Sequence, residues 1–179
     1  PLTVSDIEPA LRRWDQLSGA GIRLINHSEN QTFLIDTPAH GRYTLRVHRV
    51  GYQSSGSIDS ELAWLTALRR DTALAIPEPV PGRDGRLLQS FATGQGDRLA
   101  VLFRHIPGEE PTPDSDLNGL FRTLGGYAAA MHDHVRHWQR PAAFQLEVSF
   151  PDPFISQGEA MLLHGAVKAF IPLPAAGLV

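Results

Sequence analysis

The sequence "LINHSENQTFLI" covers residues 24–35 and places two short apolar segments on either side of a polar turn. This pattern predicts two strands joined by a tight connection, although the Asn-Gly or Asp-Gly pair that usually marks a hairpin is absent. The turn instead contains consecutive hydrogen-bonding side chains from His27 to Gln31. Such a cluster is either an ordinary solvated turn or a cover over an anionic ligand, and the rest of the chain has to distinguish the two.

Hydrophobic periodicity predicts five strands and two helices around this turn. The strands are expected at residues 22–26, 32–36, 43–48, 86–90 and 99–104. One helix precedes them over residues 5–17, with Ser5 and Glu8 as a capping box. The other begins at the cap residue Ser57 and ends near Arg70, and its buried stripe contains Ile58, Leu62, Leu65 and Leu68. This order predicts an α+β fold with a five-stranded antiparallel sheet.

A segment rich in proline and acidic residues, 105–116, separates this region from a long amphipathic helix predicted at 117–136. The apolar face of that helix contains Leu117, Leu120, Phe121, Leu124, Ala128, Met131 and Val135, which we interpret as core packing. We therefore expect a first lobe over residues 1–104, a linker over 105–116 and a partial helical lobe over 117–179.

The composition excludes several classes of function. The chain has 179 residues, 42% hydrophobic and 20% charged, with a formal net charge of −3. A weak negative charge without basic patches argues against a nucleic-acid partner. Cysteine is absent from the sequence, which excludes disulfides and thiolate chemistry. No uncharged apolar run reaches about 18 residues and the first residues are polar, so we expect no membrane span, no signal peptide and a cytoplasmic location.

Six segments, in this order, resemble the small lobe of the protein-kinase-like phosphotransferases. They are "SENQTFLID", "RYTLRVHR", "SELAWLTAL", "IPEPVPGRDG", "LAVLFRHIPGE" and "LGGYAAAMHDH". The resemblance is to the branch that contains aminoglycoside phosphotransferases, choline kinase and type II homoserine kinases, and bacterial stress-response serine/threonine kinases look similar as well. It covers roughly residues 15 to 140. It implies a kinase-like N-lobe with helix αC, followed by a truncated helical C-lobe.

The resemblance assigns the polar turn to the phosphates of ATP. A kinase has to hold a triphosphate and neutralise its charge, and backbone N–H groups with small polar side chains can do part of this at a hairpin turn. The residues implied are Ser28, Glu29, Asn30 and Thr32, without the glycines of protein kinases. The alternative remains a solvated turn.

A cation is expected to project from the third strand toward the α- and β-phosphates, and Arg46 occupies that position. Protein kinases use lysine here, whereas type II homoserine kinases are similar to this sequence in having arginine, which forms forked hydrogen bonds with phosphate or carboxylate. Glu61 resembles the helix glutamate that pairs with this cation, so we predict an Arg46–Glu61 ion pair. The alternatives are a surface arginine and a solvated carboxylate, and Arg49 at the strand end is a less suitable cation.

The resemblance also implies that the adenine ring lies against the chain after the fifth strand. In the family, backbone groups at this position bind the ring edge, and here the corresponding residues are Arg104, His105 and Ile106. Three apolar residues either sandwich the base or belong to the core: Leu24, Phe33 and Leu102.

The catalytic loop of this fold, patterned His-x-Asp-x-x-x-x-Asn, is not found. His164 opens "HGAVKAF", but Ala166 stands in place of Asp, and this segment contains no Asn. We therefore identify no catalytic residue and no magnesium ligand, and we expect the chain to be inactive alone. Three explanations stay open: a truncated or proteolysed kinase, an end introduced by a shifted reading frame or by cloning, or a degenerate relative that binds without catalysing.

His134 and His137 stand three residues apart on the predicted helix, so two metal ligands could meet there. A third ligand is not evident in the sequence, and we expect a solvated helix end without a metal.

The functional prediction is an ATP-dependent phosphotransferase that transfers the γ-phosphoryl group to a hydroxyl acceptor, with ATP and Mg²⁺ as the family's donor and cofactor. The alternative is a non-catalytic, pseudokinase-like domain that binds a nucleotide or a partner. The helical lobe is smaller than the apolar face of helix 117–136 requires, so we hypothesise a homodimer through that helix. The acceptor cannot be inferred from the sequence.

Overall fold

A computed structural model describes residues 1–27, 30–108 and 116–145. In these residues one antiparallel sheet has the strands β1 (Gly21–His27), β2 (Gln31–Thr37), β3 (Gly41–Val47), β4 (Pro79–Val80), β5 (Leu88–Thr93) and β6 (Gly96–Arg104). The order is β1-β2-β3-β6, and β6 also pairs with β4 and β5. The five predicted strands and the α+β class are confirmed, and β4, which is too short to produce a periodic pattern, is additional.

The described helices are α1 (Val4–Leu11), α2 (Ser55–Asp71) and α3 (Leu117–His137). The predicted helix over residues 5–17 is wrong as one element, because α1 ends at Leu11 and a separate 3-10 turn spans Asp15–Leu17. Its capping box is formed by Thr3 and Asp6, not by Ser5 and Glu8. Both pairs have the same three-residue spacing, so the pattern alone could not choose between them.

The cap of α2 also differs from the prediction. Ser54 is the N-cap, and its side chain accepts a hydrogen bond from the N–H of Ser57 at 3.2 Å. Ser57 therefore lies inside the first turn, 1% exposed. The buried stripe is as predicted, since Ile58, Leu62, Leu65 and Leu68 are each at most 1% exposed.

The sheet separates two apolar clusters. Phe33, Leu45 and Leu102 are cross-strand neighbours and pack with α1 residues in the first cluster. The second cluster lies on the other face, where α2 residues pack against strand residues and the second half of α3. Because alternate residues of a strand face opposite sides, Arg46 belongs to the second face.

Only the second half of α3 follows the predicted apolar face closely. Met131 and Val135 are 3% exposed and contribute to the second cluster. Near the start of the helix, Leu117 is 42% and Phe121 66% exposed. Among the described helices, none is long and apolar enough to span a bilayer.

Candidate functional site

The ion pair between Arg46 and Glu61 lies at the centre of the site. Nη2 of Arg46 donates to Oε1 of Glu61 at 2.8 Å, and the two side chains are 10% and 8% exposed. Arg46 comes from the face of β3 that meets α2, and Glu61 lies three residues after Ile58 on the buried side of that helix. The predicted ion pair is therefore confirmed, and the alternatives of a surface arginine and a solvated carboxylate are wrong.

The environment of the Arg46 guanidinium is partly apolar. Its Cζ lies 5.2 Å from the centroid of the Phe103 ring, and its Nε has no hydrogen-bond partner among the described residues. A buried charge requires a partner and saturated hydrogen bonds. Glu61 neutralises the charge, and the buried Nε–H is left without a hydrogen bond from any described residue.

His48 follows Arg46 by two residues and comes directly after the last residue of β3. It is 3% exposed, and its Nδ1 lies 3.2 Å from Oε1 of Gln53. Burial, and secondarily the charge of Arg46, lowers the pKa of His48 to about 3. The imidazole is therefore neutral near pH 7 and adds no second positive charge beside Arg46.

The polar turn between β1 and β2 is only partly covered by the described residues. Ser28 and Glu29 lie outside them. Oδ1 of Asn30 accepts a hydrogen bond from the N–H of Arg49 at 3.2 Å, which ties the turn to the end of β3. Thr32 pairs directly with Arg46 across β2 and β3. The structure thus brings Thr32 beside Arg46, whereas the Asn30 oxygen is engaged within the turn.

The chain after β6 is where the adenine edge was predicted to bind. The N–H of Arg104 donates to the carbonyl of Glu78 at 2.9 Å, and the N–H of His105 donates to the carbonyl of Arg42 at 3.1 Å. These two amides are therefore committed to the sheet. Ile106 is 44% exposed, and its N–H has no partner among the described residues, so it is the available donor of the three.

His105 is held in place by its side chain as well. Its Nδ1 lies 3.0 Å from Oγ1 of Thr44. Partial burial, followed by the charges of Arg42 and Arg23, lowers the pKa of His105. The neutral imidazole of His105 therefore lies next to Ile106, at the end of the sheet face that carries Thr44 and Arg46.

The apolar lining differs from one of the predicted readings. Phe33 and Leu102 belong to the core beneath α1, on the opposite face from Arg46, whereas Leu24, which pairs with Phe33, is 43% exposed and lies outside that core. Apolar residues that share the face of Arg46 include Leu34 and Phe103, which the sequence interpretation missed. Strand alternation could have found them, because Leu34 and Phe103 both align with Thr44, two residues from Arg46.

The predicted solvated helix end at His134 is wrong. Its side chain is 8% exposed and accepts a hydrogen bond from Nε1 of Trp64 at 3.2 Å. His137 is exposed and lies near Asp133 on its own helix. Within residues 1–27, 30–108 and 116–145, no group of three or more His, Cys, Asp or Glu side chains could hold a metal ion.

Comparison with known proteins gives consistent results. A family model described as a phosphotransferase enzyme family, APH, matches residues 21–164. An uncharacterized protein of Deinococcus radiodurans is 27% identical over 136 residues, which are 74% of this chain and 37% of that protein. The solved structure of a microcompartment-associated aminopropanol kinase is 38% identical, with a TM-score of 0.72 over 82% of this chain and 45% of the other.

Two further solved structures share the fold at lower identity. An amicoumacin kinase in complex with AMP-PNP, Ca²⁺ and its antibiotic is 19% identical, with a TM-score of 0.62 over 74% of this chain and 40% of that one. A spectinomycin phosphotransferase in complex with ADP and spectinomycin is 16% identical, with a TM-score of 0.52 over 86% and 44%. The chain spans less than half the length of each of these proteins.

Proposed function

Because the chain belongs to the phosphotransferase enzyme family, we propose that it supplies the nucleotide-binding lobe of an ATP-dependent kinase, which transfers the γ-phosphoryl group to a hydroxyl acceptor. The observation that carries this proposal is the buried Arg46–Glu61 pair on the face of the sheet that packs against α2. A cation held in one orientation by a carboxylate is what a kinase needs beside the α- and β-phosphates.

In the proposed complex, Arg46 donates to phosphate oxygens through N–H groups that Glu61 does not occupy. Glu61 holds the guanidinium so that little reorganisation accompanies binding, and partial burial strengthens its electrostatic interactions. We assign Ser28, Glu29, Asn30 and Thr32 to the phosphates, with Thr32 beside Arg46 on β2. Backbone amides and hydroxyl groups at such a turn bind anions without a glycine-rich loop.

The base is proposed to lie between the Arg46 face and the chain after β6. Leu34 and Phe103 provide an apolar surface there, and the N–H of Ile106, which has no partner among the described residues, can donate to a ring nitrogen. Arg104 and His105 support this segment through their sheet hydrogen bonds. The proposal therefore assigns base binding to the N–H of Ile106 alone, instead of to the backbone groups of Arg104, His105 and Ile106.

The described residues do not supply a complete set of magnesium ligands. Glu61 is paired with Arg46, and no suitable cluster of ligands is present among the described residues. In the proposal, the ion accompanies the triphosphate, whose charge it neutralises. The described residues bind and orient the nucleotide, and acceptor activation is assigned to other parts of the kinase. We place this activity in the cytoplasm, where ATP is available.

The acceptor is proposed to be a small hydroxyl compound. The 38% identity to an aminopropanol kinase makes aminopropanol the first acceptor to test. A second candidate function is nucleotide binding without transfer, which is favoured by Ala166 at the position of the catalytic Asp.

The first experiment is a calorimetric titration of the chain with AMP-PNP and magnesium. We expect binding that weakens at least tenfold in Arg46→Ala, because a charge-assisted hydrogen bond contributes about 1.5–3 kcal/mol. Arg98→Ala is the matched control, since Arg98 lies on the opposite face of the same sheet. Equal losses in both variants, or no binding at all, would contradict the proposal.

A transfer assay with ATP and aminopropanol separates the two candidate functions. Formation of a phosphorylated product supports the kinase. Because acceptor activation is assigned to other parts of the kinase, nucleotide binding without product supports the non-catalytic alternative only when the chain is assayed together with those parts.

A further inference from the structure

Helix α2 is held by polar contacts on two sides, and only one side belongs to the proposed nucleotide site. Glu61 binds Arg46 of β3 at 2.8 Å. One turn further along, Nε1 of Trp64 donates to Nδ1 of His134 on α3 at 3.2 Å. Because a helix moves as a rigid element over one turn, any rotation or shift of α2 that displaces Glu61 also displaces Trp64.

The His134 ring is bonded at both nitrogens. Its Nε2 lies 3.0 Å from Oδ2 of Asp71, the last residue of α2. An indole N–H can only donate and an ionised carboxylate can only accept. The two partners therefore assign the proton to Nε2 and the lone pair to Nδ1. His134 thus joins two points of α2, Trp64 and Asp71, through one neutral ring.

The acceptor end of this chain of hydrogen bonds is itself fixed. Arg70 binds both oxygens of Asp71, at 2.6 and 2.8 Å. The hydrogen bonds from Arg70 and, secondarily, from His134 lower the pKa of Asp71 to about 2. Asp71 therefore remains an ionised acceptor for His134 at neutral pH.

The segment after α3 touches the first half of the same helix. The N–H of Gln145 donates to Oγ of Ser60 at 2.8 Å, and Oγ–H of Ser60 donates to the carbonyl of Gly56 at 2.8 Å. Together with His134, this contact places α3 and the chain that follows it behind α2 along most of its length.

We propose that His134 is a positioning residue of the nucleotide site, which holds α2 in the rotation that presents Glu61 to Arg46. The apolar contacts of Leu62 and Leu65 also stabilise α2, but hydrophobic contacts are non-directional. Hydrogen bonds have a narrow range of distance and angle, so they select one position among those the apolar core would allow. The consequence for nucleotide affinity rests on the proposed function.

Three variants test the geometry. His134→Phe keeps an aromatic ring and removes both hydrogen bonds, whereas Trp64→Phe removes only the indole donor. Met131→Ala is the control, because Met131 is 3% exposed on the same helix and packs in the same cluster without entering the polar chain.

The first readout is the Nε–H resonance of Arg46 in the ¹⁵N NMR spectrum of the full chain. We expect this resonance to shift or broaden in His134→Phe and Trp64→Phe, and to change little in Met131→Ala. An unchanged resonance in His134→Phe, or an equal change in Met131→Ala, would overturn the inference.

The second readout is affinity for AMP-PNP with magnesium. We expect His134→Phe to bind AMP-PNP about fivefold more weakly, because both hydrogen bonds of the ring to α2 are lost. In a Glu61→Gln background the same substitution should have no further effect, because His134 acts through Glu61. Additive losses would overturn the inference. If the unmodified chain binds no AMP-PNP, the proposed function fails, and the Arg46 resonance alone decides the role of His134.

Discussion

Arg46 near the end of β3 and His48 just after the strand are both buried, two residues apart, but of the two only Arg46 forms an ion pair with a described residue. Arg46 binds Glu61 at 2.8 Å, whereas His48 is 3% exposed and its Nε2 has no partner among the described residues. The buried side chain at residue 46 is therefore charged and the buried side chain at residue 48 is neutral, so the arginine carries the positive charge at this end of the strand.

The first prediction concerns stability below neutral pH. Burial lowers the pKa of His48 from its ordinary value of 6.5 to about 3. Below about pH 6.5, His48 therefore binds a proton in the unfolded chain but not in the folded chain. His48 should lower the free energy of unfolding by about 1.4 kcal/mol per pH unit as the pH falls from 6 to 5. Urea unfolding at several pH values measures this slope.

The matched variants are His48→Gln and His40→Gln. His48→Gln should flatten the slope between pH 6.5 and 5, because the group that titrates on unfolding is gone. His40 is exposed in the turn before β3, so its substitution should leave the contribution of His48 in place. A slope that persists in His48→Gln would show that another group causes it.

The second prediction separates stability from binding at the ion pair. Glu61→Gln leaves a buried guanidinium without a counter-charge, and we expect a loss of about 3 kcal/mol in the free energy of unfolding. The double variant Arg46→Met with Glu61→Leu replaces both charges by apolar groups. It should recover much of that stability, because the desolvation cost of both ions disappears.

Nucleotide binding should respond differently. The double variant should bind AMP-PNP no better than Arg46→Ala, although it is folded and more stable than Glu61→Gln. Denaturant unfolding and calorimetry on the same preparations measure the two quantities. Recovered binding in the double variant would remove Arg46 from the proposed site.

The third prediction uses the two serines at the start of α2. Ser54 accepts from the N–H of Ser57, so Ser54→Ala should cost about 1 kcal/mol of stability. The Oγ of Ser57 is buried without a partner among the described residues, so Ser57→Ala should be neutral or stabilising. Thermal unfolding measures the change in stability of both variants. A loss of stability in Ser57→Ala alone would identify Ser57 as the N-cap.

Most of the sheet could be predicted because its strands alternate. Tyr43, Leu45 and Val47 identify one face of β3, and this alternation already sets Arg46 on the other. The break between α1 and the 3-10 turn at Asp15–Leu17 could not be predicted, because Trp14 and Leu17 are buried and continue the helical stripe without being part of the helix. Strand β4 was missed because its two residues are too few to show an alternation of apolar and polar side chains.

The ion pair was predictable for a similar reason, since a strand face and a helix stripe both converge on it. The segment proposed to bind the base, residues 104–106, was less predictable. The N–H of Arg104 is occupied by the carbonyl of Glu78, a contact made by the Pro-rich chain next to β4, which has no pattern of its own. The role of His134 also depends on the packing of α3 against α2, and spacing along one helix could not reveal it.

The last prediction concerns the homodimer hypothesised through helix 117–136, for which the structure supplies two residues to test. Leu117 and Phe121 are 42% and 66% exposed near the start of α3, and exposed apolar side chains at helical spacing favour association. Light scattering at tens of micromolar should give the mass of two chains, and Phe121→Ser should shift it toward one chain. Phe121→Ser should leave the free energy of unfolding of the separated chain within about 0.5 kcal/mol, because an exposed side chain contributes little to the core.

Val50→Ser is the control, since Val50 is 63% exposed but lies outside the helix. A mass of one chain for the unmodified protein would exclude the dimer and leave the nucleotide site unaffected, because no residue proposed to bind ATP lies on α3.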